Sequence, residues 1–287
     1  RIEAIWYPFT SNPWLKVWTV RSSKPFWARE VDSPYNYPFS DNLSEEVSNL
    51  IAQIMDGSPG LTPQFGQLMS TVTTWGLLFD NAYDLWGPSK NLLLYVRPTT
   101  LRVTANGYAI LTRRSDVQRV IHEFVERYET NLQAYANDGK YPINGPMEIR
   151  VTGLDDPSHA ELTEASDASL SAVIPCDDHP EWDCAVWLDL LTVPGTPWSG
   201  DFYAELEAWM FKNYSGDYAT MRVEWSKGWG YTGDGPWTSD EIIENFVPQS
   251  LTAGRPESAD WTAATSQLKE LDPHGIFRNP FLDKLMP

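Results

Sequence analysis

Met147-Glu148-Ile149-Arg150-Val151 sets two opposite charges, two residues apart, inside a run that otherwise reads as buried strand. Successive strand side chains point to opposite faces, so Glu148 and Arg150 share one face while Ile149 and Val151 share the other. Ala185-Val186-Trp187-Leu188-Asp189-Leu190-Leu191 places a lone Asp in a second such run, and Met221-Arg222-Val223-Glu224-Trp225 repeats the Arg/Glu alternation. Taking a charge out of water costs several kcal/mol unless a partner or hydrogen bonds offset it. A strand serving only a core would carry Val or Thr there. The pattern predicts a sheet with one apolar face and a second face lining a cavity with acid and arginine.

Working outward, residues 1–7 and 14–20 read as two strands joined by the turn Thr10-Ser11-Asn12-Pro13. Ser44 is a good N-cap for a helix with Val47, Leu50, Ile51 and Ile54 on one face, ending at Asp56-Gly57-Ser58-Pro59. A second helix is expected over 61–79. Residues 91–97 and 100–112 alternate like strands around Ala105-Asn106-Gly107, a strong hairpin signal. Ser115 is placed to cap a long helix with Val117, Val120, Ile121, Phe124, Val125, Tyr128 and Leu132 on its apolar face. Strands at 147–153, 183–191 and 220–225 follow, with helices at 201–214, 238–246 and 257–270. Strands come as hairpin pairs with no strict βαβ alternation. The fold class expected is therefore α+β: a large antiparallel sheet flanked by helices, carried on one face.

The 287 residues allow one or two domains with a sizeable core. No run approaches the roughly 20 apolar residues of a membrane span. Against 21 basic residues stand 39 acidic ones, a net charge of −18 that repels phosphate backbones and disfavours a nucleic-acid partner. No Gly-rich phosphate loop occurs, so the chain cannot cradle a nucleotide by itself. The 14 Trp and 13 Tyr suit a thick core or a cavity for a bulky flat ligand. The opening is strand-like, without a charged-then-apolar leader or initiator Met; it reads as a processed, cut or partial product, and a secreted or extracytoplasmic location is expected. Cys176 and Cys184 either close a short surface loop or stay as free thiols. With His179 they match no common zinc spacing.

Long blocks of the chain resemble the substrate-binding (cap) half of the FAD-dependent cholesterol oxidases that hold flavin covalently, in the vanillyl-alcohol-oxidase family. The blocks begin with Ile2-Glu3-Ala4-Ile5-Trp6, Trp14-Leu15-Lys16-Val17-Trp18-Thr19-Val20 and Pro34-Tyr35-Asn36-Tyr37-Pro38-Phe39-Ser40-Asp41-Asn42. They continue with Asn144-Gly145-Pro146-Met147-Glu148-Ile149-Arg150, Val193-Pro194-Gly195-Thr196-Pro197, Glu224-Trp225-Ser226-Lys227-Gly228-Trp229 and Leu271-Asp272-Pro273-His274-Gly275-Ile276-Phe277. The resemblance implies a cap domain over 1–270 and a tail, 271–287, that packs on an FAD domain held elsewhere. None of His122, His159, His179 or His274 aligns with the histidine that bonds to the flavin. By resemblance, Glu148 and Arg150 pair as a gate on an oxygen channel, Glu3 supplies a further partner for the arginine, and Glu224 belongs to the active-site wall. One position departs: where the family member compared has Asn beside the flavin and the sterol hydroxyl, this chain has Asp189. An ionised Asp only accepts hydrogen bonds, and beside an anionic reduced flavin its pKa should rise.

The implied activity is oxidation, with isomerisation, of a 3β-hydroxysteroid such as cholesterol, with O2 as oxidant and hydrogen peroxide as product. The implied partners are a sterol or other bulky apolar alcohol, O2 and an FAD-binding domain or chain; this chain alone would be inactive. Plain alternatives stand beside each assignment. Glu148/Arg150 could be an exposed cross-strand pair worth roughly 0–1 kcal/mol. Glu224 could form a surface ladder with Arg222, and Asp189 could bond a loop backbone at a strand end. At the level of function, a non-catalytic sterol- or lipid-binding module and an oxidase of another bulky alcohol are alternatives. A Trp-rich acidic chain with strand carboxylates also suits glycoside hydrolysis, which would require two carboxyls facing each other across an open cleft.

Overall fold

The computed structural model describes residues 1–35, 45–93, 102–216, 218–227 and 237–287. Its centre is a six-stranded, wholly antiparallel sheet in the order β2-β1-β6-β7-β5-β8. The strands are β1 (Ile2–Trp6), β2 (Trp14–Val17), β5 (Thr104–Thr112), β6 (Met147–Thr152), β7 (Cys184–Thr192) and β8 (Ala219–Val223). A separate two-stranded parallel ladder joins β3 (Arg29–Glu30) to β4 (Leu85–Trp86). Among the described residues eight α-helices surround these strands: α1 (Glu45–Met55), α2 (Thr62–Phe79), α3 (Ser89–Leu92), α4 (Val117–Asn137), α5 (Ser199–Asn213), α6 (Val247–Thr252), α7 (Trp261–Leu271) and α8 (Pro280–Leu285).

The period-2 pattern divides the sheet as the sequence requires. Tyr108, Ile110, Ile149, Val186, Leu188, Leu190, Met221 and Val223 point to one face. There they pack on Val120, Phe124, Tyr128 and Leu132 of α4 and on Phe202, Leu206 and Met210 of α5. Burial of each such side chain contributes about 1.5–3 kcal/mol, so this layer fixes the sheet. On the opposite face the segment 153–183 covers one end, where Ala172, Val173, Cys176 and Trp182 pack on Ala109, Leu111 and Ala185. Two arginines fasten that cover. Arg222 of β8, 1% exposed, donates to the carbonyls of Ile174 (2.5 Å) and Ser250 (2.9 Å). Arg255 bridges Asp167 (2.8 Å), Asp177 (3.3 Å) and the Pro175 carbonyl (3.2 Å). The other end of this face carries charged side chains.

Several details depart from the sequence reading. Asn106 and Gly107 do not turn the chain: both lie inside β5, paired with Leu190 and Asp189 of β7. The local Asn-Gly signal yields to a nine-residue ladder with β7, which β8 flanks on the other side from Tyr108 onward. Of the partner half of that hairpin, Asn91 and Leu92 are helical, while 94–101 lie outside the described residues. Within the six-stranded sheet only β1/β2 and β6/β7 pair as sequential neighbours, because β5 inserts between β7 and β8. Ser115 does not cap α4; it sits in a 3-10 turn, Arg114–Asp116, and Asp116 occupies the cap position with no side-chain cap bond. β2 stops at Val17, three residues early, and Ser44 falls outside the described residues. Segment 238–246 includes a π-helical turn at Ile242–Phe246. Cys176 and Cys184 are free, buried thiols facing the carbonyls of Ala253 and Thr112.

Candidate active site

Strand register assembles the charged face. Across the ladder Lys16 opposes Glu3, Glu3 opposes Arg150, Glu148 opposes Asp189, and Asp189 opposes Gly107. Directly opposed residues share a face, so four strands deliver Lys16, Glu3, Glu148, Arg150 and Asp189 to one patch. Glu224 follows the last residue of β8. Its carboxylate has left Arg222, which bonds only backbone carbonyls, and faces Arg150 instead. Glu3, Glu148, Arg150, Asp189 and Glu224 therefore share this face, but the expected Glu148–Arg150 pair is not formed: among the described residues Arg150 pairs with Asp189 and Glu224, and Glu3 pairs with Lys16.

Arg150 is the hub. Its Nη2 donates to Asp189 Oδ2 and lies 3.5 Å from Glu224 Oε2. Its guanidinium carbon sits 5.7 Å from the centroid of the Trp187 ring, whose Nε1 donates to Thr152 Oγ1 at 2.9 Å. Lys227 completes the cluster, with Nζ 3.9 Å from Asp189 Oδ2 and 3.7 Å from Glu224 Oε1. At the other edge Lys16 Nζ holds Glu3 Oε2 at 3.2 Å. The cluster is substantially removed from water: the Arg150 side chain is 21% exposed, Glu224 14% and Asp189 0%. It is not the exposed ion-pair ladder of the plain alternative.

The electrostatics follow from this crowding. Burial pushes the Asp189 carboxyl up to about 8; the neighbouring Glu224 adds to the rise, and Arg150 and Lys227 oppose it. Burial also raises Glu148, with Glu3 adding repulsion and Arg150, Lys227 and Lys16 opposing. For Arg150, burial works against the charge, but Asp189 and Glu224 outweigh it and hold the guanidinium above its usual pKa. The arginine stays charged while the acids compete for it. Three buried atoms here lack a hydrogen-bond partner: Asp189 Oδ1, Glu224 Oε2 and Arg150 Nε.

Three contributors went unassigned in the sequence. Lys227 follows Glu224 by three residues, and that spacing was the available signal. Lys16 becomes visible once β2 is set opposite β1. Gly107 was read as a turn, yet its lack of a side chain seats Asp189: a Cβ there would overlap Oδ1 and stand 3.1 Å from both Asp189 Cγ and Lys227 Cγ. Beside Lys16, a groove of about 370 Å³ runs between Trp14, Trp18, Leu77, Ala82 and Leu85. Trp225 stacks between Trp237 and Trp261, at centroid distances of 5.6 and 6.4 Å, and so belongs to the core. Trp229 and Tyr231 lie outside the described residues. Among the described residues no group of three or more His, Cys, Asp or Glu is placed to hold a metal.

The profile of the family described as "Cholesterol oxidase, substrate-binding" matches residues 1–287. The chain belongs to that family. As a cholesterol oxidase substrate-binding domain it is similar along its whole length to a solvent-stable cholesterol oxidase, with 54% identity and a TM-score of 0.94, covering 54% of that chain. It is equally similar in fold to the cholesterol oxidase of B. sterolicum, with 45% identity and a TM-score of 0.94, covering 53% of that chain. The domain thus spans about half the length of the oxidases it matches. Among curated protein sequences none matches it. No helix among the described residues is long and apolar enough to cross a membrane.

Proposed function

We propose that this domain forms the substrate side of an FAD-dependent, secreted alcohol oxidase acting on 3β-hydroxysteroids such as cholesterol. The observation that carries the reading is the convergence of Glu3, Glu148, Arg150, Asp189 and Glu224 on one partly water-excluded face. Those residues fit a flavin-facing wall. Arg150 and Lys227 offer positive charge, and the buried Asp189 Oδ1 and Glu224 Oε2 lack hydrogen-bond partners. When bound, FAD supplies hydride acceptance from the alcohol carbon and reaction with O2 to hydrogen peroxide.

The domain's own residues bind, orient and move protons. Glu148 and Asp189, both raised toward the neutral form, are placed to take a hydroxyl proton or return one to a steroid carbon during isomerisation. Arg150 holds Asp189 and Glu224 in register, and its movement would open a path for O2 past Glu148. The division into a cap, 1–270, and a returning tail, 271–287, rests on the resemblance, and the tail itself faces both ways. Leu285 packs into this domain's core, whereas Leu271, Ile276 and Phe277 leave large apolar surface exposed for the flavin-holding half.

Peroxide release by the full-length oxidase, with cholesterol against simple aryl alcohols, tests the reading. Turnover of cholesterol that falls at least tenfold in Glu148→Gln and Arg150→Met supports it. Saturable sterol binding with no peroxide would establish the binding-module alternative instead.

A further inference from the structure

The charged face carries one acid more than it has cations, and by pairing the surplus is Glu148; the crowding at Asp189 and Glu224 is a separate matter. Among the described residues four acids, Glu3, Glu148, Asp189 and Glu224, meet three cations, Lys16, Arg150 and Lys227. Lys16 is committed to Glu3 at 3.2 Å. Arg150 and Lys227 each reach both Asp189 and Glu224, so those two carboxyls divide the same pair of cations. One oxygen of each, Asp189 Oδ2 and Glu224 Oε2, faces the same nitrogen, Arg150 Nη2. Asp189 is wholly buried, and its Oδ1 and Glu224 Oε2 have no hydrogen-bond partner. Asp189 Oδ1 lies against Gly107, in the space a Cβ there would occupy. Two carboxylates crowded onto the same cations, with one desolvated, are least costly when a single proton is held between them.

We infer that Asp189 and Glu224 hold one proton between them at neutral pH, as a carboxylic acid–carboxylate pair that serves as the site's proton store. The titratable and charged groups beside the pair are Arg150 and Glu148 from β6 and Lys227 from the segment after β8, with Glu3 of β1 and Lys16 of β2 further along the same face. The arrangement explains why an arginine and a lysine are both spent on two acids. Together they confine the proton to the pair without stripping it away. The burial-driven rise at Asp189 agrees with this. Storage of the proton stands on this chain's residues alone, while its use in turnover rests on the alcohol-oxidase reading.

The test is infrared difference spectroscopy of the full-length oxidase in H2O and D2O, comparing parent with variants. A protonated carboxyl C=O stretch at neutral pH, sensitive to deuteration, is expected in the parent. It should vanish in Asp189→Asn and, separately, in Glu224→Gln, and persist in Glu148→Gln. Two independent variants guard against one failing to fold. A parent without the band, a band surviving in both pair variants, or loss in Glu148→Gln as well would overturn the proposal. The pH profile of peroxide release supplies the second arm: Asp189→Asn should shift its limb by about one pH unit or abolish it. An unmoved limb overturns the catalytic use of the store. A parent releasing no peroxide from any alcohol rejects the oxidase reading, and the infrared result stands or falls without it.

Discussion

Replacing Gly107 with alanine tests whether the strand backbone was left bare to seat Asp189. The new Cβ overlaps Asp189 Oδ1 and comes within 3.1 Å of Asp189 Cγ and Lys227 Cγ. A flexible side-chain end could retreat at little cost, but this one is 0% exposed and its other oxygen, Oδ2, accepts from Arg150 Nη2. Retreat means lengthening that bond or bending β5 away from β7 in the middle of a nine-residue ladder. Overpacking of this kind costs about 1–3 kcal/mol, and weakening a buried charge pair adds roughly another 1 kcal/mol. Against a typical total stability of about 5–15 kcal/mol, a loss of 2–4 is easily read. Urea unfolding of the 287-residue chain followed by circular dichroism provides the measurement. Gly153→Ala, where a Cβ meets nothing within 4 Å, serves as control and should stay within about 0.5 kcal/mol of the parent. Should Gly107→Ala unfold with the parent's midpoint and slope, Asp189 is not confined as argued, and the account of its seat against Gly107 is wrong.

Arg150→Met leaves the wholly buried Asp189 with Lys227 as its nearest cation; about 3–5 kcal/mol should be lost, and the double variant with Asp189→Asn should regain at least 1 kcal/mol of it in a denaturant cycle. For pH dependence, Asp189 titrates near 3.9 in the unfolded chain and about 8 when folded. The folded state therefore binds more protons across that window, so this group's contribution is fully present at the acid end and lost as pH rises through about 8. Asp189→Asn should flatten the fall, matching the parent at the acid end and exceeding it at the alkaline end of a urea series. Arg222→Leu strands the carbonyls of Ile174 and Ser250 and should cost about 2–4 kcal/mol, with amide exchange accelerating first across 171–178. Burial pushes the Cys184 thiol up to about 11 and raises Cys176 as well, so a disulfide reagent should titrate neither thiol in the native chain and both in denaturant.

What could be read in advance follows from the range over which each signal acts. The face shared by Glu148 and Arg150 needed only period-2 geometry, and the stripe on α4 needed only period 3.6; both are properties of one segment. The position of β5 between β7 and β8 depends on pairing across more than seventy residues, which no local pattern encodes. Asn106-Gly107 shows the conflict most clearly. The strongest short-range turn signal in the chain lies in the middle of a strand, because a side chain at 107 would displace a buried carboxylate. Glu224 shows the converse. Its alternation with Arg222 was legible, but β8 ends at Val223, so the two residues part: Arg222 goes to backbone carbonyls and Glu224 to Arg150.

Local rules and the folded chain therefore disagree mainly along one face of the sheet. There a strand accepts charges in place of Val, a glycine is kept in place of a better strand former, and four carboxyls crowd three cations. Each choice costs stability, and the apolar face behind, fully packed on α4 and α5, supplies what offsets it. A fold selected for stability alone has no use for such a concentration of local violations; a wall that must handle protons away from bulk water does. The excess acid is the feature that a purely structural ion-pair network would not retain, since one Glu→Gln change would balance the charge at no cost in shape. If Glu148→Gln proves more stable than the parent while its turnover collapses, the imbalance is maintained for chemistry. If it gains stability and loses no activity, the imbalance has no such role.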